Sequence, residues 1–129
     1  MPGSFTNRKD GRHMNANIKI AGTTFHLIPE GKYLKVSETY TFENVPCANT
    51  NAVLMPEPEN VHDSLAVKVM VPLDDGSAFH IGYLPSDCSF KPTIAQSGKS
   101  YLATIMVKNF AHNNPHYSAS WIITEVQGL

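Results

Sequence analysis

A chain of 129 residues, 42% hydrophobic and 16% charged, can build one core and is too apolar for a disordered segment. Ten Lys and Arg against eleven Asp and Glu leave a net charge of −1, a poor footprint for a protein that coats nucleic acid by neutralising phosphates. No apolar run reaches the roughly 18 residues that span a bilayer. The opening MPGSFTNRKDGRHM lacks the apolar centre of a signal peptide, and Cys47 and Cys88 stand outside any CxxC spacing. These features fit a cytoplasmic, reducing setting with no membrane partner.

GRHM, at residues 11–14, is a junction typical of cloning sites, so residues 1–13 are expected to be a vector-derived or flexible leader. Residues 14–129 form the one expected domain. Without Arg8, Lys9, Arg12 and Asp10 the net charge falls to −3. In chain order, NIKIAGTTFHLI alternates around Ile18 and Ile20, and Gly22 marks a bulge inside that strand. YLKVSETYTF, with Leu34, Val36, Tyr40 and Phe42, reads as a second strand, and NAVLM as a short third one stopped by Pro56. A crowded loop follows: two prolines, three acids, an amide and an imidazole lie between Pro56 and Asp63.

SLAVKVMV then places Leu65, Val67, Val69 and Val71 on one face. Asp74-Asp75-Gly76 supplies a hairpin turn into SAFHIGYL. Helix has room only in PSDCSFKPTIAQSG, with Ser86 or Asp87 as a cap, Pro92 opening a turn and Gly98 ending it. SYLATIMVKNF and HYSASWIITEV close the chain as a strand pair, joined through Asn113-Asn114-Pro115. The fold class is mainly β: a small, partly closed antiparallel barrel with one or two short helices.

Chemistry-bearing patterns are few. Asn60 and Asp63 can close a turn by accepting backbone N–H groups, and Tyr83 and Trp121 suit a core. His112 and His116 have H-x3-H spacing, but Pro115 between them denies a shared helical face, so no metal or cofactor is expected. His62-Asp63 lacks the further acids of a metal-dependent nuclease, and no GxSxG or paired-carboxylate motif occurs. A non-enzymatic protein is expected.

EPENVHDSLAVKV, followed by IGYLP, resembles the HIRAN domain family, which pairs an E-P-x-N-x-x-D-x-x-A-[IV]-x-V segment with a downstream G-[YH]-[IL]. IKIAGTTFH is similar to that family's first strand, and KNFAHNN to the loop that closes its pocket. The resemblance covers most of residues 17–126. It implies an OB-like barrel that grips the 3′ end of single-stranded DNA. Such domains open helicase-like transcription factor and also occur as short stand-alone proteins in bacteria and phages. With no room here for an ATPase, a stand-alone or excised module is implied, with a helicase or other replication or repair protein as a further partner.

Carried over residue by residue, the resemblance implies that Asp63 accepts a hydrogen bond from the terminal 3′-hydroxyl. A terminal phosphate would then meet its negative charge. Phe25 matches one of two aromatic residues that sandwich a base, and His62 stands where the second is usually Tyr. Thr24 replaces a phosphate-binding Arg, and Ser86 replaces a Lys. His26, Asn60, Tyr83, Lys108 and Phe110 complete the implied nucleic-acid-binding set, with Lys68 a further basic candidate. Roughly twenty residues in the 32–51 region exceed the family spacing and should add a strand or flap. The rival expectation is a HIRAN-fold adaptor that binds a protein, as a phage or mobile-element accessory factor.

Overall fold

Seven strands and one α-helix follow from the alternation, and the computed structural model describes them over residues 13–111 and 119–129. The strands are β1 (His13–Lys19), β2 (Glu38–Phe42), β3 (Val45–Pro56), β4 (Val67–Pro72), β5 (Ala78–Tyr83), β6 (Tyr101–Lys108) and β7 (Ser120–Gln127), with α1 (Lys91–Ser97) between β5 and β6. All pairings are antiparallel, in the order β1-β7-β6-β3-β4-β5, with β2 added to β3. β4 shows the period best: Val67, Val69 and Val71 are buried while Lys68, Met70 and Pro72 are half-buried. Burying each such valine contributes about 1.5–3 kcal/mol. Trp121, Leu54, Ile81, Ile94, Ile105 and Ile123 complete the centre of the core.

The sheet does not close into the expected barrel. Its outer strands, β1 and β5, share no ladder. They are linked beyond the end of β1, where Ala21 and Tyr83 exchange two backbone hydrogen bonds of 2.9 Å. Gly82 permits this approach, because a Cβ there would fall 2.4 Å from the Ala21 carbonyl oxygen. The edges thus meet at one bridge rather than along a seam.

Other expectations are corrected in detail. Gly22 is not a bulge inside a strand: with φ 78° it turns the chain into a single 3-10 turn, Thr23–Phe25. Of YLKVSETYTF, only Glu38–Phe42 is strand, and Leu34 forms an isolated bridge to Leu73. β3 begins six residues before Asn51, through Pro46, because one of its edges serves β2 and then β4 while the other serves β6. The extra segment near residues 32–51 therefore does supply a strand, β2. Leu65 is exposed and lies before β4, so it does not share the valine face. Phe90 precedes α1 where Ser86 or Asp87 was expected to cap it, whereas Pro92 in the first turn and the left-handed Gly98 at the end are as expected. The Asn113-Asn114-Pro115 turn and the His112/His116 spacing lie outside the described residues.

Candidate nucleic-acid interface

The EPENVHDSLA segment folds into a loop tied at its base, where Glu57 N–H donates to the Ala66 carbonyl at 2.9 Å. Inside it, Asn60 Oδ1 accepts from His62 N–H at 2.9 Å and Asp63 N–H at 3.0 Å, while its Nδ2 donates to Glu57 Oε1 at 2.8 Å. Asp63 Oδ1 accepts from Leu65 N–H at 2.9 Å. The amide and the acid therefore do close the turn, as their residue types allow. The same bonds fix the direction of the Asp63 carboxylate. Its other oxygen, Oδ2, lies 2.5 Å from Lys91 Nζ at the start of α1.

A second wall comes from the chain beyond β1. Phe25, on the 3-10 turn, is 86% exposed, and Leu27 is also exposed. His26 turns inward onto His80 of β5, with ring centroids 4.4 Å apart, and the Tyr83 ring meets His80 edge-on at 4.7 Å. His80 and Tyr83 are three apart in a strand, so they share a face only because the ladder slips. Val69 pairs with Gly82 and Met70 with His80, leaving Ile81 as a bulge. His80 Nε2 donates to the Gly82 carbonyl at 2.9 Å, since a carbonyl can only accept.

Glu57 joins the walls. Its Oε1 accepts from both Asn60 Nδ2 and the Tyr83 hydroxyl, the latter at 2.9 Å, and its Oε2 is 3.9 Å from Lys68 Nζ. The network thus runs from His26 through His80 and Tyr83 to Glu57, Asn60 and Asp63, across three separate parts of the sequence. Four of the seven large hydrophobic side chains exposed among the described residues, Phe25, Leu27, Val61 and Leu65, lie on these two walls.

The local charges follow from these contacts. The Asn60 hydrogen bond, with help from Tyr83 and Lys68, holds the Glu57 carboxyl below its ordinary value. Asp63 is lowered chiefly by the Lys91 hydrogen bond and then by Leu65 N–H. Burial, then the Glu57 acceptor, raises the Tyr83 phenol. Burial also lowers His80, and the neighbouring His26 adds to the effect.

The remaining candidates sit as follows. Thr24, His62 and Ser86 are exposed. Lys108 donates to Glu43 Oε1 at 2.5 Å and lies 5.6 Å from the Phe42 ring centre, so its ammonium already has partners. Phe110 is buried in the core and not displayed as a platform. Trp121 is core, as its type suggested. Three residues of the site were not expected from sequence: Glu57, His80 and Lys91. Glu57 opens the EPENVHDSLAVKV segment, so that motif carried the signal. His80 depends on an unannounced bulge, and Lys91 on a contact across 28 positions.

Among the described residues, no group of three or more His, Cys, Asp or Glu could hold a metal, and no helix is long and apolar enough to cross a membrane. No curated protein and no solved structure matches the chain. The family model of the HIRAN domain matches residues 14–122, which include both walls, the bridging Glu57 and the Lys91 that meets Asp63. The chain belongs to the HIRAN domain family, whose members are in general DNA-binding modules.

Proposed function

We propose that this domain is a non-enzymatic module that binds single-stranded DNA at a free 3′ end. The observation that carries the reading is the joining of an exposed aromatic, Phe25, to a fixed carboxylate, Asp63, through the His26–His80–Tyr83–Glu57–Asn60 network. A terminal base needs an aromatic face, and a terminal hydroxyl needs an acceptor whose direction is set. Phe25 supplies the first and Asp63 the second.

Basic residues argue for a local grip. After residue 12 the chain has seven lysines and no arginine. Four of those lysines face acids: Lys32, Lys68, Lys91 and Lys108. Binding should therefore release few counterions, with a salt slope matching about two or three phosphate contacts. The same scarcity of free cations also favours the rival, an adaptor that keeps the fold and binds a protein.

The test is a titration of short linear single strands bearing a 3′-hydroxyl, their 3′-deoxy counterparts and a circular strand of equal length. Linear 3′-hydroxyl DNA should bind best. Phe25→Ala should weaken it by about 1–3 kcal/mol through loss of one stacking face, and Asp63→Ala should erase the preference for hydroxyl over deoxy ends. Equal affinity for linear and circular strands would defeat the end reading, and no binding to any of them would favour the adaptor.

A further inference from the structure

Lys91 and Thr50 are the only buried polar side chains among the described residues. Thr50 has a structural use: its hydroxyl donates to the Lys35 carbonyl at 2.7 Å and ties the preceding segment to β3. Lys91 has no such use within the core. Its one ion-pair partner among the described residues is Asp63, at 2.5 Å, and the Lys91 side chain is 11% exposed against 42% for Asp63. A lysine is rarely so buried, and a paired internal charge is seldom more stabilising than a well-packed apolar side chain. Its place beside the carboxylate of the proposed DNA-end site therefore asks for a role in that site.

We infer that Lys91 is a specificity-determining residue that makes the Asp63 site accept a terminal phosphate as well as a terminal hydroxyl. This inference rests on the DNA-end reading. An isolated Asp63 carboxylate would repel a 3′-phosphate, as the family resemblance leads one to expect. Paired with Lys91 it presents no net charge. A ligand oxygen in hydrogen-bond contact with Asp63 Oδ2 would stand within about 5 Å of the ammonium. An ammonium carries three donors, of which Asp63 uses one, so Lys91 can serve phosphate oxygens that a carboxylate cannot. A hydroxyl would be read by both partners, donating to Asp63 and accepting from Lys91. A phosphate would be read by Lys91.

The experiment titrates one short single-stranded oligonucleotide, ending in either 3′-hydroxyl or 3′-phosphate, against the full chain and three variants. The unmutated protein should bind the two ends within about tenfold of each other. Lys91→Met should weaken 3′-phosphate binding about tenfold more than 3′-hydroxyl binding, because it leaves the carboxylate unneutralised. Lys91→Arg, which keeps the cation, should restore the wild-type ratio. Asp63→Asn should move preference towards the phosphate. That arm stands if circular dichroism shows Lys91→Met unfolded. A structural role alone would weaken both ends equally, and this result would overturn the inference while leaving end binding intact. Strong exclusion of the 3′-phosphate by the unmutated protein, or an unchanged ratio in Asp63→Asn, would overturn it too. Absence of binding to either end would remove the DNA-end reading and this inference with it.

Discussion

The two walls of the candidate site are built in opposite ways. The 57–66 loop is dense in hydrogen bonds: the Asn60 side chain alone makes three, and the Glu57 and Asp63 carboxylates each accept from two donors. The 22–27 wall has two short-range backbone bonds, from Phe25 N–H and His26 N–H, and otherwise relies on ring contacts. For the proposed DNA-end site this difference would matter: a carboxylate reading a hydroxyl would have to point in one direction, and hydrogen bonds with defined angles hold the Asp63 carboxylate so. An aromatic face that takes any base can shift by a fraction of an ångström, and ring contacts allow that. The contrast is between a wall that sets direction and a wall that supplies surface.

The largest effect should come from breaking the backbone bridge between the soft wall and the sheet. In Gly82→Ala the new methyl would meet the Ala21 carbonyl oxygen, at 2.4 Å in the present geometry, and Ile20 Cγ2, at 2.8 Å. Neither atom belongs to a long flexible side chain that could swing away. The bridge should open at a cost of about 1–3 kcal/mol, read as a lower midpoint in denaturant. His26 should lose its seat on His80 as the segment moves. A variant as stable as the wild type would show that the 22–27 wall does not depend on the bridge.

Asn60→Ala tests the firm wall and should have a smaller effect. It removes the acceptor for two backbone N–H groups and the donor to Glu57. Water can reach part of this loop, so the loss should be about 1–2 kcal/mol. The sharper readout is hydrogen exchange: the His62 and Asp63 amides should lose protection while β4 amides keep theirs. Unchanged protection at residues 62 and 63 would mean that the loop is held by its prolines rather than by Asn60.

Much of this contrast was legible in the sequence, for physical reasons that differ by residue. Asn60 and Asp63 announced the turn because their side chains bond to backbone a few positions away, and such contacts lie within one short stretch. Val67, Val69 and Val71 announced β4 by period. The edge-to-edge bridge, the Ile81 bulge and the Lys91–Asp63 pair were not legible. Each depends on where distant strands meet, and no local pattern encodes it. Closure failed for a related reason: alternation shows which face is buried, but not whether the first and last strands share a ladder. Phe110 illustrates the limit of motif transfer. It stood in a segment similar to the pocket-closing loop, yet its ring lies in the core.

The smallest effect, and the most direct probe of the ring-lined wall, is the response to mild acid. Folding lowers the His80 pKa from its ordinary 6.5, chiefly by burial and then by the adjacent His26. Lys68 acts in the same direction, while Glu57 and the hydrogen bond to the Gly82 carbonyl oppose it. A depressed histidine pKa means that the unfolded chain takes up the proton first. Its contribution is therefore complete above pH 6.5 and declines as pH falls from there through the lowered folded value. Glu57 and Asp63 are also depressed, but from ordinary values of 4.5 and 3.8, so their contribution fades only in stronger acid. The two walls should thus respond in separate windows. Thermal melts from pH 7.5 to 5 should show a decline of a few degrees in Tm for the wild type. His80→Gln, with no ring to protonate, should be flatter over that range and should keep the decline below pH 4.5. A His80→Gln curve parallel to the wild type down to pH 5 would place the mild-acid response elsewhere in the molecule.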